Sequence, residues 1–316
     1  MTSCAVCLGE GTTPAFARDG YAYRRCSACG TLSVVPLPTF ADLRTYYNTS
    51  YRVDPRGSES GARRKWRRMI GEMRRHGVPT GRLLEVGCSW GGFLTAAKES
   101  GWEASGVDLS AEAAAHARNR GLDAFAGSLE ESPFADRAFD AVVMWHVIEH
   151  QRDPRDFLRA CASRLKPGGI LVLTTPNASS IIARVSGAAW EWATPPAHLH
   201  LLTPRGLEEI FSQAGLRTVE LSTRRGDARP FPAEIVIAGA KRLMGRRRGG
   251  PPPEARAGTG GRDLSSPRRT SLRHRTAAGL TRSSVWLSAP FRPIASLADR
   301  WLLCGPELLA VAAKIA

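Results

Sequence analysis

A short apolar run that opens into a glycine-rich turn constrains the fold of this chain more than any other feature. Leu83–Val86 is predicted to be a buried strand, because the run is brief and helical spacing follows at once. Gly87 can adopt the positive φ of a sharp strand-to-helix turn, and Gly91 and Gly92 leave bare backbone against which a ligand can lie. The first N–H groups of the following helix would point at that ligand. Taken alone, the pattern is also typical of an ordinary tight turn.

A second predicted strand, in Ala104–Ser110, reaches an acidic residue, Asp108, about twenty residues after the turn. In doubly wound folds a carboxylate in this position binds ribose hydroxyls. The alternative is that Asp108 only caps a helix beginning at Ala111, although Ser110 can cap that helix by itself. Two more apolar strands are predicted further along, at Phe139–Met144 and within Leu165–Leu173. Four such segments in this order indicate an α/β fold.

The four segments together resemble one enzyme family. They read E-V-G-C-S-W-G-G, G-V-D-L-S, F-D-A-V-V-M-W-H-V-I-E-H and L-K-P-G-G. This order is similar to that of class I S-adenosylmethionine-dependent methyltransferases, and most similar to bacterial sugar and secondary-metabolite enzymes with an N-terminal zinc-binding segment. Ser89 replaces the middle glycine of the family's G-x-G-x-G turn, but serine is small enough to leave the turn intact. An NAD-linked Rossmann enzyme is the nearest alternative, and the last two segments favour methyl transfer over it.

The resemblance implies a Rossmann-like α/β fold with a mixed seven-stranded sheet, helices on both faces and a small N-terminal zinc ribbon. It also implies that the cofactor is S-adenosylmethionine. The residues that would bind it are Glu85, Gly87 and Gly91 around the methionine part, Asp108 on the ribose, and Leu109, Ser128 and Leu129 around the adenine ring.

Histidines are the candidate catalytic bases, since an imidazole can accept a proton at neutral pH. Four of the seven fall near the expected mouth of the site, at positions 146, 150, 198 and 200. Resemblance to zinc-containing sugar C-methyltransferases matches His150 to a pocket histidine and Ala197-His198 to a Glu-His pair, so His198 and then His150 are the candidates. Ala197 departs from that pair, which weakens the analogy with C-methylation. The alternative is that His146 and His150 only face one side of a helix start and have structural roles.

Two C-x2-C pairs near the N-terminus predict a metal site. Cys4 and Cys7 form the first pair, and Cys26 and Cys29 form the second after an interval of 18 residues. Four thiolates in a tetrahedral array are typical of a structural Zn²⁺ site, and unrelated free thiols are the alternative. The remaining cysteines, Cys88, Cys161 and Cys304, are expected to be small buried residues.

The predicted organisation places the cysteine pairs before the α/β domain and a basic segment inside it. An amphipathic helix is expected at Ala62–His76, with its apolar stripe packed on the sheet. Glu307–Ile315 is expected to be the last strand, because the resembled fold inserts a buried antiparallel strand between its fifth and sixth. The predicted units are residues 1–38 (zinc ribbon), 39–78 (helical connector), 79–224 (methyltransferase domain), 225–305 (basic, partly disordered insertion) and 306–316 (last strand).

The formal net charge of +15 is concentrated in one part of the chain. Residues 241–300 hold 14 Lys and Arg against three acidic residues, and Gly245–Arg282 is predicted to be disordered because it has few large apolar side chains. Such a run is more typical of a solvated segment, or of weak contact with an anionic surface, than of specific nucleic-acid recognition. A polar N-terminus and the lack of any apolar run of about 18 residues favour a cytoplasmic location without disulfides.

The sequence therefore favours methyl transfer to a small-molecule acceptor, a sugar, glycan or secondary metabolite, with a hydroxyl oxygen as the receiving atom. A sugar C-methyltransferase is the first alternative. An RNA methyltransferase, gripping phosphates with the cysteine segment and the Arg-rich run, is disfavoured because Met144–Val147 lacks an Asn-Pro-Pro-Tyr type of signature. A non-enzymatic binding module is disfavoured by the intact glycine-rich and acidic segments.

Overall fold

The computed structural model describes residues 3–39, 41–43, 46, 59–76, 80–224 and 305–315. In this part of the chain the strands are β1 (Thr12–Arg18), β2 (Tyr21–Cys26), β3 (Leu32–Val35), β4 (Arg82–Val86), β5 (Glu103–Asp108), β6 (Asp123–Ala126), β7 (Phe139–Trp145), β8 (Leu165–Pro176), β9 (His200–Leu201), β10 (Leu216–Arg224) and β11 (Glu307–Lys314). The helices are α1 (Glu59–Arg74), α2 (Gly92–Glu99), α3 (Ala111–Asn119), α4 (Pro154–Arg164), α5 (Ile181–Ser186) and α6 (Pro204–Gln213), with short 3₁₀ turns at Ile148–His150 and Gly187–Ala189.

Seven strands form one sheet in the order β10-β11-β8-β7-β4-β5-β6. The pairs from β8 to β6 are parallel, whereas β11 is antiparallel to both β8 and β10. The predicted mixed seven-stranded sheet is therefore confirmed, with β11 inserted between the fifth and sixth strands of the predicted order. Because parallel strands end at one edge of a sheet, the carboxyl ends of β4, β5 and β7 lie side by side there.

Helices cover both faces of this sheet, and neighbouring strand residues alternate between the two cores. Leu83 and Val143 pack with α1 and α2, in a cluster that includes Met69, Ile70 and Met73 of α1. Leu84 and Val142 belong to the opposite cluster, with residues of α4 and α6. The expected packing of the apolar stripe of α1 on the sheet is confirmed.

The cysteine pairs lie in a second, four-stranded sheet of order β1-β2-β3-β9. Strand β9 comes from the loop that leads into α6, and it pairs with β3 through Leu32 with Leu201 and Ser33 with His200. Two residues are too few to show an alternating pattern, so this strand could not be predicted from the sequence. The N-terminal segment is thus joined to a loop of the larger domain by backbone hydrogen bonds.

Several expectations fall on residues outside those described. These include the disorder of Gly245–Arg282, the basic insertion apart from its last residue, and the burial of Cys304; Cys88 and Cys161 are buried as expected. None of the helices in the described part of the chain is long and apolar enough to cross a membrane.

Candidate active site

The glycine-rich turn joins β4 to α2 in left-handed backbone conformations. Gly87 and Gly91 both have φ of 77°, and Ser89 has φ of 46°. A Cβ on Gly87 would lie 2.6 Å from Val147 Cγ2, and one on Gly91 would lie 2.4 Å from Leu122 Cδ1. The left-handed conformation therefore favours glycine at both positions, and a Cβ at either one would also force a neighbouring side chain to shift. Ser89 adopts the left-handed conformation of the glycine that it replaces, so the turn stays intact.

Asp108 lies across from this turn, at the carboxyl end of β5. Its Oδ2 accepts the backbone N–H of Ser89 at 2.8 Å, and its Oδ1 accepts that of Ser110 at 2.8 Å. Burial raises the pKa of the Asp108 carboxyl, and the two N–H donors oppose that shift. Ser110 caps α3, since its Oγ accepts from Ala113 N at 3.2 Å. Capping therefore does not explain the acid, and the carboxylate is held where a ligand can meet it.

Glu85 is buried beside Asp108, at the end of β4. Burial and the nearby Asp108 charge raise the pKa of Glu85 well above its ordinary value. Its Oε2 is buried without a hydrogen-bond partner among the described residues. An unpaired buried oxygen of this kind is rare in a folded protein. A donor group of a bound molecule would satisfy it.

The remaining predicted cofactor residues follow the carboxyl ends of β5 and β6. Leu109 follows Asp108 and is 76% exposed, whereas Leu129, after β6, is buried. Ser128 N donates to Glu131 Oε2 at 2.9 Å. An exposed leucine next to a partly buried carboxylate leaves apolar surface that a flat ring can cover.

A charged network follows β7, on the next strand of the sheet. His146, with φ of 56°, places Nδ1 3.2 Å from Glu149 Oε1 and Nε2 2.6 Å from Glu307 Oε1. Burial alone would lower the pKa of His146, but hydrogen bonds with the two carboxylates raise it to about 9. Burial would raise the pKa of Glu149, and the bond to His146 lowers it to about 2. Thr175 Oγ1 also donates to Glu149 Oε2, at 3.1 Å, so both oxygens of this carboxylate are held in place.

Two histidines meet beside Glu149. The His150 and His198 rings lie 4.7 Å apart at 78°. Nδ1 of His150 lies 2.9 Å from Ala197 O, and Nδ1 of His198 lies 2.5 Å from Trp192 O. Because a carbonyl only accepts, each Nδ1 carries a hydrogen, and in the neutral ring Nε2 carries the lone pair. Burial lowers the pKa of His198 to about 4, which keeps that ring neutral.

His200 is not part of this group, although it was expected near the same mouth. Its Nδ1 is 2.9 Å from Ser33 Oγ, and its Nε2 is 3.4 Å from Arg152 O. Burial lowers the pKa of His200 to about 4. Two members of the group escaped the sequence analysis, Glu149 and Glu307. For Glu149 the signal was its place next to His150 in the segment V-I-E-H.

Among the residues that the structure describes, two sets of side chains could hold a metal ion. One carboxylate oxygen of Glu149 and one ring nitrogen each of His150 and His198 lie within 4.8 Å of one another. The four N-terminal sulfurs meet the same limit.

The four-cysteine cluster, Cys4, Cys7, Cys26 and Cys29, has the geometry of a closed thiolate site. Cys4 Sγ lies 3.9 Å from Cys29 Sγ, and Cys7 Sγ lies 3.6 Å from Cys26 Sγ. Sulfurs bound to one tetrahedral Zn²⁺ at about 2.3 Å would lie roughly 3.8 Å apart. Backbone N–H groups of Val6 and Gly9 point at Cys4 and Cys7, each at 3.4 Å, and so would stabilise thiolate charge. The donor set and its spacing fit Zn²⁺.

We expect purified protein to carry about one Zn²⁺ in the four-cysteine cluster, and Cys26→Ser to lose it. Metal binding supplies much of the folding free energy of small zinc segments, so the variant should unfold at lower denaturant concentration. Metal analysis and urea unfolding measure both effects. Cys161→Ala, which changes a buried cysteine outside the cluster, should keep the metal. Freshly purified, reduced protein without zinc would contradict the expectation.

The four-cysteine segment also holds the loop that carries His198. Tyr23 Oη donates to His198 O at 2.7 Å, and Val34 N donates to Leu199 O at 3.0 Å. On the other side of the loop, Leu199 N donates to Glu149 O at 2.8 Å. Thr203 Oγ1 donates to Cys29 O at 2.6 Å. The loop is thus fixed between the N-terminal sheet and the turn that bears Glu149 and His150.

Residues 59–221 match the family described as "Methyltransferase domain". Over 151 residues the chain is 32% identical to the ubiquinone biosynthesis O-methyltransferase of Cereibacter sphaeroides, covering 44% of this chain and 61% of the relative. The enzyme of the same name from Caulobacter vibrioides is 35% identical over 127 residues, covering 37% and 50%. The chain therefore spans 50% to 61% of the length of these relatives.

Among solved structures, the 4+2 cyclase SpnF aligns with a TM-score of 0.51 at 18% identity, covering 89% of this chain and 97% of that protein. At this identity the likeness concerns the fold alone. A fold of this kind hosts more than one chemistry, so the reaction has to be argued from the site.

Proposed function

The chain belongs to the methyltransferase-domain family, and from this premise we propose that it transfers a methyl group from S-adenosylmethionine to a hydroxyl oxygen of a small molecule. The observation that carries the proposal is that the glycine-rich turn lies next to the histidine pair. Val147, between the charged network and the histidine pair, packs against Gly87 of the glycine-rich turn. A methyl donor at the turn and an acceptor at the histidines would therefore be neighbours, as an in-line displacement requires.

Residues at the turn suit each part of the cofactor, which supplies an electrophilic methyl group on a sulfonium when bound. The unpaired Oε2 of Glu85 can accept from an ammonium group, and a positive charge there would offset the cost of burying the carboxylate. Asp108 can accept from ribose hydroxyls with the lone pairs that its two backbone donors leave. Leu109, Ser128 and Leu129 would enclose the adenine ring.

The Glu149, His150 and His198 group would activate the acceptor hydroxyl. We assign His198 as the proton acceptor, with His150 as the second candidate, because Trp192 O fixes the Nδ1–H tautomer of His198 and leaves the Nε2 lone pair for the hydroxyl. Glu149 would keep the His150 and His198 rings in position, because its backbone carbonyl accepts the N–H of Leu199 in the loop that carries His198. One relative is named as an O-methyltransferase, which favours oxygen as the receiving atom. A sugar, a glycan or a secondary metabolite would supply the hydroxyl.

Cofactor binding tests the proposal first. Asp108→Ala should weaken binding of S-adenosylmethionine by about 1.5–3 kcal/mol, roughly 10- to 150-fold, because a charged hydrogen-bond acceptor is lost. Isothermal titration calorimetry measures the change. Asp123→Ala is the matched control, since Asp123 is an exposed acid at the far end of the adjacent strand β6, and it should bind as the wild type does. Equal affinity in the Asp108 variant, or no binding by the wild type, would refute the assignment.

A further inference from the structure

Glu149, His150 and His198 bring one carboxylate and two imidazoles to a single point, with ligand atoms within 4.8 Å of one another. We propose that these three side chains bind a divalent transition-metal ion, in a site separate from the four-cysteine cluster. The inference rests on the proposed function in one respect only, that the acceptor hydroxyl would be the next ligand.

The donor set has the composition of an open, catalytic type of site. Two histidines and one glutamate leave a coordination position for substrate or water, whereas four cysteines close a structural site. Imidazole and carboxylate ligands suit zinc, cobalt or manganese. Ligand atoms around a tetrahedral ion would lie roughly 3.3 Å apart, so the group must contract.

The hydrogen bonds around the group are those that orient metal ligands. Histidines that bind metals usually donate their second ring N–H to a carbonyl or carboxylate, which fixes the tautomer and the direction of the ring. Both rings do so here, His150 to Ala197 O and His198 to Trp192 O. The carboxylate is fixed as well, because Thr175 and His146 donate to its two oxygens. Each of the three ligands is therefore already held by a neighbour.

The charge at the group also favours a cation. Two carboxylates, Glu149 and Glu307, share one imidazole ring, that of His146. Even when this ring is protonated, the three groups carry a net negative charge, and Glu149 has no exposed surface. A buried net charge is costly without a counter-charge. A divalent ion against Glu149 would provide one.

An ion at this position would activate the acceptor without a protein base. A cation lowers the pKa of a hydroxyl that lies against it. The O–H bond then breaks with its electron pair left on oxygen, and the proton passes to water. His198 would act as a ligand in place of the base role assigned above. Binding of the cofactor and transfer to oxygen are common to both roles, and metal binding separates them.

Cobalt is the probe, because Co²⁺ bound by nitrogen and oxygen lacks the near-ultraviolet thiolate absorption of Co²⁺ bound by cysteines. Full-length protein, cleared of loosely held ions by a chelator, is titrated with Co²⁺ and assayed for metal content and absorption. We expect one ion for each of the two clusters. Glu149→Gln and His150→Ala should lose the ion without thiolate absorption, and Cys26→Ser should retain it.

His200→Asn is the matched control. It changes a buried histidine two residues from His198 that hydrogen-bonds to Ser33 instead, and it should bind both ions. Calorimetry with S-adenosylmethionine on every variant verifies that each protein is folded. Binding of the cofactor without a nitrogen- and oxygen-bound ion would overturn the metal site and leave the proposed function standing. Bound ions without cofactor affinity would overturn the proposed function alone, and an ion that survives Glu149→Gln and His150→Ala would overturn the ligand assignment.

Discussion

Replacing His198 with alanine is expected to lower kcat by about 10²- to 10⁴-fold, the contribution of a positioned proton-transfer group. The base role and the ligand role both need this imidazole, so the loss follows from either. Affinity for S-adenosylmethionine should change little, because the contacts of His198 with Trp192, Tyr23 and His150 lie outside the predicted cofactor residues. Formation of S-adenosylhomocysteine, with a hydroxylated acceptor that the wild type methylates, gives kcat and KM.

The control for that variant is again His200→Asn, whose ring lies against Ser33 and Arg152. His200→Asn should retain kcat within about threefold, since the side chain at this position faces neither the glycine-rich turn nor the histidine pair. A His198 variant with the wild-type rate, or an equal loss in the control, would contradict the catalytic assignment. Calorimetric affinity for the cofactor shows whether each variant is folded.

Glu149→Gln should produce the largest loss of stability. Glutamine has nearly the same shape, but it leaves the His146 imidazolium with a single carboxylate, that of Glu307. Removing one partner of a buried ion pair lowers the free energy of unfolding by about 3–5 kcal/mol. Because Glu307 still pairs with His146, we expect a loss of about 3 kcal/mol here. Urea unfolding in the presence of a chelator measures the change apart from any bound ion.

The double variant His146→Gln/Glu149→Gln provides the control for the ion pair. Removing both charges should recover part of the lost stability, because the imidazolium left with a single carboxylate is the source of the cost. If the double variant loses more unfolding free energy than the two single variants lose together, the ion pair is not the cause. An unchanged midpoint in Glu149→Gln would show that the carboxylate contributes nothing to folding.

Local patterns in the sequence predicted the apolar strands and the glycine-rich turn, and the resemblance to methyltransferases implied the mixed seven-stranded sheet. The turn between β4 and α2 needs glycine at fixed positions, and the buried strands β7 and β8 contain continuous apolar runs. The structure also separated the roles of two neighbours, since Ser110 caps α3 while Asp108 holds the turn. These features depend on residues a few positions apart, and so the sequence carries them.

The acceptor side could not be predicted in the same way, because its contacts join distant segments. His146 meets Glu307 across 161 positions, and His150 meets Ala197 O across 47. The sequence marked His150 and His198 as candidates through resemblance, but it did not show that Glu149 lies beside them. Resemblance favoured His198 over His200, which stands two residues away, and the structure shows that the two rings differ in what the folded chain places against them.

The pairing of β3 with β9 bears on how this protein can be divided. The family match begins at residue 59, which suggests a natural point at which to shorten the chain. A chain cut there would lose the partner of Leu201 and the donor to His198 O, and it would leave β9 as an exposed edge with unpaired backbone groups, a template for aggregation. Exchanging N-terminal segments between relatives would carry the same hazard unless the segment 192–203 moved with them. The cysteine segment and the loop that carries His198 therefore belong to one structural unit, although the elements from α1 to α5 lie between them in the sequence.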